Sequence, residues 1–392
     1  MRKILLICIM GLLFLTGCSK KEEQYENVTV SKEELPVYFK QNGKYGFIDK
    51  NGNVVIEPKF TKTYGFSSDG TAAVSEGGFV FGVLTDKWGM INTKGEYIIK
   101  PEFSFLGYFD ENGLCPAGKN FKCGFIDKTG EFIIKPEFDD ISYFGDSDIA
   151  PAMKGKKWGY IDKTGETVID FKFDEAECFA ENGIAKVTVD GKNGYINKTG
   201  EYVIEPKYEY SLGFNSVGLA RVYDQQNDYM YFIDENGETV IDCKGGSADD
   251  FSENGLAAVR NKDRLYGYID KTGEYVVEPK FEYVSENWSE GYAVIKQNGK
   301  EGYINEKGEI VIEPKYDQAY HFDESDTARV NLGGELYYID KQGNVLFKST
   351  YKTAGRILPN GLAAISENEK WGFMDSQGNI VIEPKYEEVQ IF

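Results

Sequence analysis

The feature that most constrains this chain is a short sequence unit that recurs ten times. A tetrad reading glycine, aromatic, isoleucine, aspartate, or close to it, begins at Gly46, Gly89, Gly124, Gly159, Gly194, Tyr231, Gly267, Gly302, Tyr337 and Gly372. The successive spacings are 43, 35, 35, 35, 37, 36, 35, 35 and 35 residues. Such a period is typical of repeat proteins, in which each unit completes its core by packing against its neighbours.

Each unit contains three short segments of β-type composition joined by turn residues. An alanine-bearing apolar stretch such as 256–259 comes first, the tetrad follows, and a β-branched pair with Glu-Pro-Lys-aromatic, as in 311–316, comes last. Asp190-Gly191 lies between the first two segments and predicts a type I′ hairpin, which needs two positive φ angles. Thr164-Gly165 and its equivalents separate the second and third segments. The unit is therefore predicted to be a three-stranded antiparallel meander.

The predicted fold is all-β, with about ten of these meanders in tandem over residues 37–392. Closed propellers usually have four to eight blades of four strands, and ten three-stranded units fit that description poorly. We therefore expect an open superhelical solenoid, with a propeller-like ring or two packed arcs as the rival arrangement.

The repeated glycines and prolines each predict a structural role. A glycine inside a strand is tolerated where another backbone or ring packs closely against it. Proline lacks an N–H, so it should lie on an edge strand or at a strand end, where we expect it to end the pairing. The tetrad isoleucine and its aromatic neighbour should face opposite sides of the sheet. The motif residues assigned this structural role are Trp88, Gly89, Trp158, Gly159, Gly194, Gly267, Gly302, Trp371 and Gly372.

The N-terminus predicts export and lipid anchoring. Arg2 and Lys3 precede an apolar run of twelve residues, 4–15, which fits a signal peptide and is too short to span a bilayer. The sequence Leu-Thr-Gly-Cys at 15–18 resembles the lipobox of bacterial lipoproteins. That resemblance implies cleavage after residue 17 and acylation of Cys18. Residues 1–17 are thus read as a signal peptide and residues 18–36 as a lipidated N-terminus and flexible tether.

The repeat itself resembles the WG-repeat (KWG) proteins of bacteria. The motif is clearest at 157–162, 87–92 and 370–375, and it covers nearly all of residues 37–392. The resemblance implies a β-repeat scaffold and no reaction, so it supplies no catalytic residues.

The departures from the repeat are few. Tyr231 and Tyr337 replace the glycine, the units around Cys243 and Phe347 lack the Pro-Lys-aromatic ending, and Phe171 replaces one proline. They indicate either seams, where curvature changes or a partner docks, or simple drift.

The four cysteines beyond residue 18 are predicted to form no disulfides. If Asn120 and Phe121 form a two-residue turn, Cys123 lies opposite Gly118 and Cys115 opposite Ile126. Side chains alternate along a strand, so the two thiols would point to opposite faces. Cys178 and Cys243 lie in unrelated repeats.

Charge and residue types argue against several functions. The net charge of −20 disfavours nucleic acid and anionic lipid headgroups as partners. His321 is the single histidine and is interpreted as a loop residue, which excludes a multi-histidine metal site. The acidic stretches 146–148 and 323–326 lack the spacing of a calcium loop and are interpreted as turns. No catalytic residue, metal or cofactor is predicted.

The sequence therefore favours a non-enzymatic binding scaffold, anchored by lipid to the extracytoplasmic face of the cell membrane. Its predicted partner is a protein or a cell-wall polymer, because repeat proteins use extended surfaces and tyrosine can stack on a glycan or peptide. An envelope-assembly accessory lipoprotein remains an alternative. A carbohydrate-active enzyme is a further one, although a catalytic carboxylate pair should be unique and the acids here recur in nearly every unit.

Overall fold

The protein is a ring of ten β-sheets. The computed structural model describes residues 31–391 apart from residues 81–82, 85, 146, 227–228 and 244–245. The predicted signal peptide and Cys18 therefore lie outside the described residues. The described residues form ten four-stranded antiparallel sheets and one separate two-stranded hairpin. We call the sheets blades 1 to 10 and name the strands of each blade a, b, c and d in sheet order.

The strand bounds follow the repeat closely. In blade order, strand a is Glu388–Val389, Lys62–Phe66, Phe105–Leu106, Asp140–Ile141, Glu175–Ala176, Tyr210–Phe214, Ser247–Ala248, Tyr283–Val284, Gln318–Phe322 and Thr353–Ile357. Strand b is Val37–Gln41, Thr71–Glu76, Cys115–Lys119, Ile149–Lys154, Ile184–Val189, Ala220–Asp224, Ala257–Arg260, Tyr292–Gln297, Ala328–Leu332 and Leu362–Glu367.

The tetrads lie in strand c and the Pro-Lys-aromatic endings in strand d. Strand c is Lys44–Ile48, Lys87–Asn92, Lys122–Ile126, Lys157–Asp162, Lys192–Asn197, Tyr229–Ile233, Tyr266–Ile269, Lys300–Asn305, Glu335–Ile339 and Lys370–Asp375. Strand d is Val54–Phe60, Tyr97–Phe103, Phe132–Phe138, Thr167–Phe173, Tyr202–Tyr208, Thr239–Asp242, Tyr275–Phe281, Ile310–Tyr316, Val345–Lys348 and Ile380–Tyr386.

Two local elements lie outside the blades. A 3₁₀ helix, Lys32–Glu34, precedes blade 1. In blade 2 an inserted hairpin pairs Phe79–Val80 with Val83–Leu84, which explains why the first repeat spacing is 43 residues instead of about 35.

The expectation of an open array of three-stranded meanders is wrong. Each blade has a fourth strand, the short strand a, which closely follows strand d of the preceding blade. The ring closes because strand a of blade 1 comes from the C-terminus, where Val389 pairs with Phe39 and Glu388 with Lys40. Ten blades of four strands therefore form a closed propeller.

The core lies between the blades. Ten hydrophobic clusters of described residues each join two consecutive blades, including blade 10 to blade 1. Tyr195 packs towards blade 6 and its neighbour Ile196 towards blade 4, which confirms that the two tetrad side chains face opposite sides. Both are fully buried. Each blade therefore buries both faces only by contact with two neighbours.

The tetrad glycine lies under a bulge of strand d. Trp158 pairs with Phe173 and Tyr160 with Ile169, so strand d carries two extra residues at this point. A Cβ atom on Gly159 would come within 2.5 Å of the Ile169 carbonyl oxygen. The close backbone contact predicted for this glycine is confirmed.

The prolines lie in this bulge on the edge strand. An edge position was predicted for these prolines. The expectation that they end the strand pairing is wrong, because the aromatic residue after each Pro-Lys pairs with strand c again. Phe60, for example, pairs with Tyr45 beyond Pro58. Phe171 occupies the proline position of blade 4 and the bulge persists there, so proline is not required for it.

Blades 6 and 9 lack the bulge. Tyr231 pairs with Asp242 and Phe232 with Ile241 without an extra residue. In blade 9, Tyr337 pairs with Lys348 in the same manner. Glycine and the Pro-Lys-aromatic ending are thus lost together, because strand d has no extra residues opposite this position and leaves room for a side chain on strand c.

Candidate functional site

The recurrent tetrad acid caps the turn between strands c and d. The Asp162 carboxylate accepts hydrogen bonds from the backbone N–H groups of Thr164 at 2.8 Å and Glu166 at 3.0 Å, and from the Thr164 hydroxyl at 2.7 Å. The threonine hydroxyl bond lowers the pKa of Asp162, and equivalent bonds lower the pKa values of Asp127 and Asp270. Asn197 makes the same backbone bonds without a charge. The repeated acid is therefore a structural turn residue.

The lysine that opens strand c links consecutive blades. Lys157 lies 2.6 Å from Asp174, which precedes strand a of blade 5. The other oxygen of Asp174 accepts the N–H of Asp190 in the b–c turn of blade 5 at 2.8 Å. The equivalent pairs are Lys122–Asp139, Lys192–Glu209 and Lys300–Asp317. Each pair is largely exposed, so its contribution to stability is small and its effect is to fix the position of the turn.

The tetrad tyrosines make a second link between blades. The Tyr160 hydroxyl donates to the Glu177 carbonyl at 2.7 Å, and the Tyr195 hydroxyl donates to that of Leu212 at 2.7 Å. Burial raises the pKa of Tyr303 above its usual range, so its hydroxyl stays protonated and donates to Tyr320.

The predicted motif residues have structural positions. Trp88 is buried and stacks on Tyr64 with ring centroids 4.7 Å apart, whereas Trp158 and Trp371 are half-buried. The eight tetrad glycines, including Gly194, Gly267, Gly302 and Gly372, all lie against the backbone of strand d. The structure distributes these residues around the ring and does not bring them together into one site.

Other sequence expectations have mixed outcomes. The type I′ turn at Asp190-Gly191 is confirmed by φ angles of 50° and 73°. The register of Cys115 opposite Ile126 and Cys123 opposite Gly118 is confirmed as well. His321 is not in a loop, because it lies exposed in strand a of blade 9.

The acidic stretch at 323–326 forms a turn, as predicted. Asp323 is buried and accepts the N–H groups of Ser325 and Ile357 at 3.0 Å each. Among the described residues, no three His, Cys, Asp or Glu side chains are grouped so as to hold a metal ion. The same part of the chain contains no helix with the length and apolar character needed to cross a membrane.

A groove of about 420 Å³ lies between blades 5 and 6, near the b–c turn of blade 5. Its lining includes Glu175, Thr188, Asn193, Tyr210, Ser211 and Tyr223. Ser211 is only 8% exposed, and its hydroxyl oxygen is sealed from solvent beside the Tyr195 side chain.

Sequence reasoning missed this groove. The residue before the tetrad, Asn193 in this blade, gave no signal, because only five of the ten units have Trp or Tyr at that position.

Comparison with solved structures supports the propeller architecture. A structure described as that of the eukaryotic initiation factor matches with a TM-score of 0.50 and 9% identity, covering 81% of this chain and 96% of that one. At this identity the similarity concerns the fold alone. BamB from Moraxella catarrhalis matches at 10% identity over 82% of this chain and 98% of its own, but with a TM-score of 0.32. A comparison with curated proteins gave no significant match.

One family profile matches nearly the whole repeat region. It is described as "WG containing repeat" and matches residues 45–78, 88–123, 124–158, 158–192, 194–225, 232–264, 266–300, 302–335, 338–371 and 371–392.

Proposed function

Because the chain belongs to the family of WG-containing repeat proteins, we propose that it is a non-enzymatic binding scaffold held at a bacterial membrane by a lipid on Cys18. The observation that carries the proposal is the use of the recurrent acids. Asp162 and its equivalents cap turns, and Asp174 and its equivalents join blades, so these two recurrent sets of acids serve the fold. A propeller with these features supports binding better than catalysis.

The position of the N-terminus suggests how the ring is oriented. The Leu35 carbonyl accepts the side-chain amide of Asn360, and Glu34 lies 2.5 Å from Lys50, so the chain enters on the side of the c–d turns. Residues 18–30 can reach at most about 45 Å when extended. We propose that the c–d turns face the membrane and that the opposite side, with the b–c turns, meets the partner.

Cell fractionation tests the anchor. The full-length chain and a Cys18→Ala variant are expressed in a bacterial host, with Cys8→Ala as the matched control in the leader. We expect the wild type and the Cys8 variant in the membrane fraction and the Cys18 variant released from it. Equal membrane association of all three would contradict lipid anchoring at Cys18.

Affinity capture from envelope extracts of the native cells tests the scaffold. The anchored wild-type protein should retain an envelope protein or cell-wall polymer that an unrelated lipoprotein does not retain. Absence of any specific retention would contradict the scaffold. Turnover of peptidoglycan fragments or common glycans by the purified protein would instead establish an enzyme.

A further inference from the structure

We propose that Phe121, at the tip of the b–c turn of blade 3, is the anchor by which the ring docks into an apolar pocket of a partner protein. This inference rests on the proposed scaffold function and deepens it by naming a contact residue and the kind of partner. The blades of one chain provide an internal comparison, because a turn that serves only folding should keep its character from blade to blade. The turn of blade 3 does not.

The backbone at Phe121 has a conformation that phenylalanine rarely adopts. Asn120 and Phe121 form a two-residue turn, and their φ angles are 54° and 64°. Residues other than glycine are uncommon at positive φ, because their Cβ atom crowds the backbone. Six other blades have a two-residue b–c turn, and the second turn residues there are Gly43, Lys156, Gly191, Gly299, Gly334 and Glu369. Among these seven turns, only that of blade 3 has an apolar side chain at this position.

The Phe121 side chain is also the most exposed large hydrophobic side chain among the described residues. It is 89% exposed, and the next in order, Val345, is 58% exposed. Lysine or glutamate at a turn tip is well solvated, whereas a phenyl ring in water is unfavourable. Phe121 therefore strains the backbone and gains no packing within its own fold. Outliers of this kind are typical of binding sites, where a partner offsets the strain.

The shape of this position requires a concave partner. A ring that is 89% exposed protrudes from the turn, so only a partner that encloses it can remove it from water. Phenylalanine lacks the polar group with which tyrosine or tryptophan orients a saccharide, so a cell-wall polymer could contact only the faces of the ring. A pocket in a protein buries the whole ring, and aromatic side chains in such pockets carry much of the binding energy of protein interfaces.

The surroundings of the ring favour an apolar pocket over a charged one. Lys119 lies 3.1 Å from Glu102, and Lys122 lies 2.5 Å from Asp139. Both lysines beside the turn are thus already paired with carboxylates of their own fold. Phe105, in strand a of the same blade, adds a second apolar side chain that is 38% exposed.

The turn lies on the side of the ring away from the anchor. The contact between Glu34 and Lys50 places the N-terminal segment at the c–d turns. Because the strands of a blade are antiparallel, its b–c turn is at the opposite end. In the proposed orientation Phe121 therefore faces away from the membrane that holds the lipid. The neighbouring blade 2 carries the inserted hairpin in its own b–c connection, so two consecutive blades depart from the common turn on this side.

Photocrosslinking in the native cells tests the contact. The full-length chain is produced with p-benzoylphenylalanine in place of Phe121 and, as the matched control, in place of Glu369 at the same turn position of blade 10. We expect position 121 to give one discrete adduct with an envelope protein, identified by mass spectrometry, and position 369 not to give it. The proposal is overturned by the same adduct at both positions, by no adduct at 121, or by an adduct with lipid, glycan or a second copy of this chain.

Affinity measurements separate docking from folding. The protein identified by the crosslink is purified and titrated against wild type and Phe121→Gly by biolayer interferometry. Phe121→Gly should bind about tenfold or more weakly. Its melting temperature should be unchanged or higher, because glycine adopts positive φ without strain. Glu369→Gly, the same change in blade 10, should leave the affinity unchanged.

Two outcomes of the titration would overturn the proposal. One is equal affinity of Phe121→Gly and wild type, and the other is a loss of affinity together with a lower melting temperature, which would assign Phe121 to folding. If the anchored Phe121→Gly variant retains its envelope partner as well as the wild type does, this contact is removed and the scaffold function stands.

Discussion

At the residue scale, the tetrad glycine and the Pro-Lys-aromatic ending act as one unit. The bulge in strand d brings a carbonyl oxygen over the glycine, and where the bulge is absent a tyrosine occupies the same position. The sequence predicted a close contact at the glycine but not its source, because a bulge is a feature of pairing between strands. Tyr231 and Tyr337, which suggested seams or drift, follow from the absence of this bulge in strand d of blades 6 and 9.

We expect Gly159→Val to destabilise the protein by about 1–3 kcal/mol, because the new Cβ would meet the backbone of strand d. Thr167→Val, at an exposed position in strand d of the same blade, is the matched control and should change stability by less than about 0.5 kcal/mol. Urea unfolding followed by circular dichroism measures both. Equal stability of the glycine variant and the wild type would contradict the close packing.

The turn cap at Asp162 gives a second prediction at this scale. Asp162→Ala should cost about 1 kcal/mol, because it removes the acceptor for two backbone N–H groups. Asp162→Asn should retain most of the stability, since Asn197 fills the same position in blade 5. Thermal melting at pH 7 distinguishes the two variants.

The same cap predicts a pH dependence. A carboxyl whose pKa is lowered by folding stabilises the protein above its unfolded pKa, near 3.8, and loses that contribution as the pH falls through the folded pKa. The gap in melting temperature between wild type and Asp162→Ala should therefore narrow below about pH 4. A gap that widens on acidification would contradict the role of the ionised cap.

At the element scale, aromatic pairs join one blade to the next. In seven interfaces the tetrad aromatic of one blade lies 4.8–5.0 Å, between ring centroids, from an aromatic residue at the end of strand a of the next blade or shortly after it; Tyr160 and Phe179 are one such pair. Sequence patterns predicted the three longer strands and their turns. They did not predict strand a, because a strand of two residues, such as Glu175–Ala176, is too short to show an alternating pattern.

Phe179→Ala should destabilise the protein by about 3–5 kcal/mol, because it leaves a cavity in the interface between blades 4 and 5. Tyr160→Phe should cost only about 1 kcal/mol, since it removes the hydrogen bond to the Glu177 carbonyl and keeps the ring. Blade 3 already carries Phe125 at this position. Both variants are measured by chemical denaturation, and equal stability of the two would contradict the role of the aromatic pair.

At the scale of the whole molecule, the sequence could not decide whether the array closes. Closure depends on the angle between consecutive blades and on the C-terminal residues pairing with strand b of blade 1, a contact between positions about 350 residues apart. The number of repeats and the family could be predicted from the sequence because both rest on local motifs. The groove between blades 5 and 6 could not be predicted, because its walls come from two units.

Closure of the ring is tested most directly by a disulfide between its ends. Lys40 and Glu388 are paired across the strands that join blade 1, a separation that suits a disulfide. Under oxidising conditions the double variant Lys40→Cys/Glu388→Cys should form an intramolecular crosslink that shifts its mobility on a non-reducing gel. Each single variant, and Lys40→Cys combined with Glu175→Cys in blade 5, should form none. Failure of the Lys40–Glu388 pair to crosslink in the folded monomer would contradict a closed ten-bladed ring.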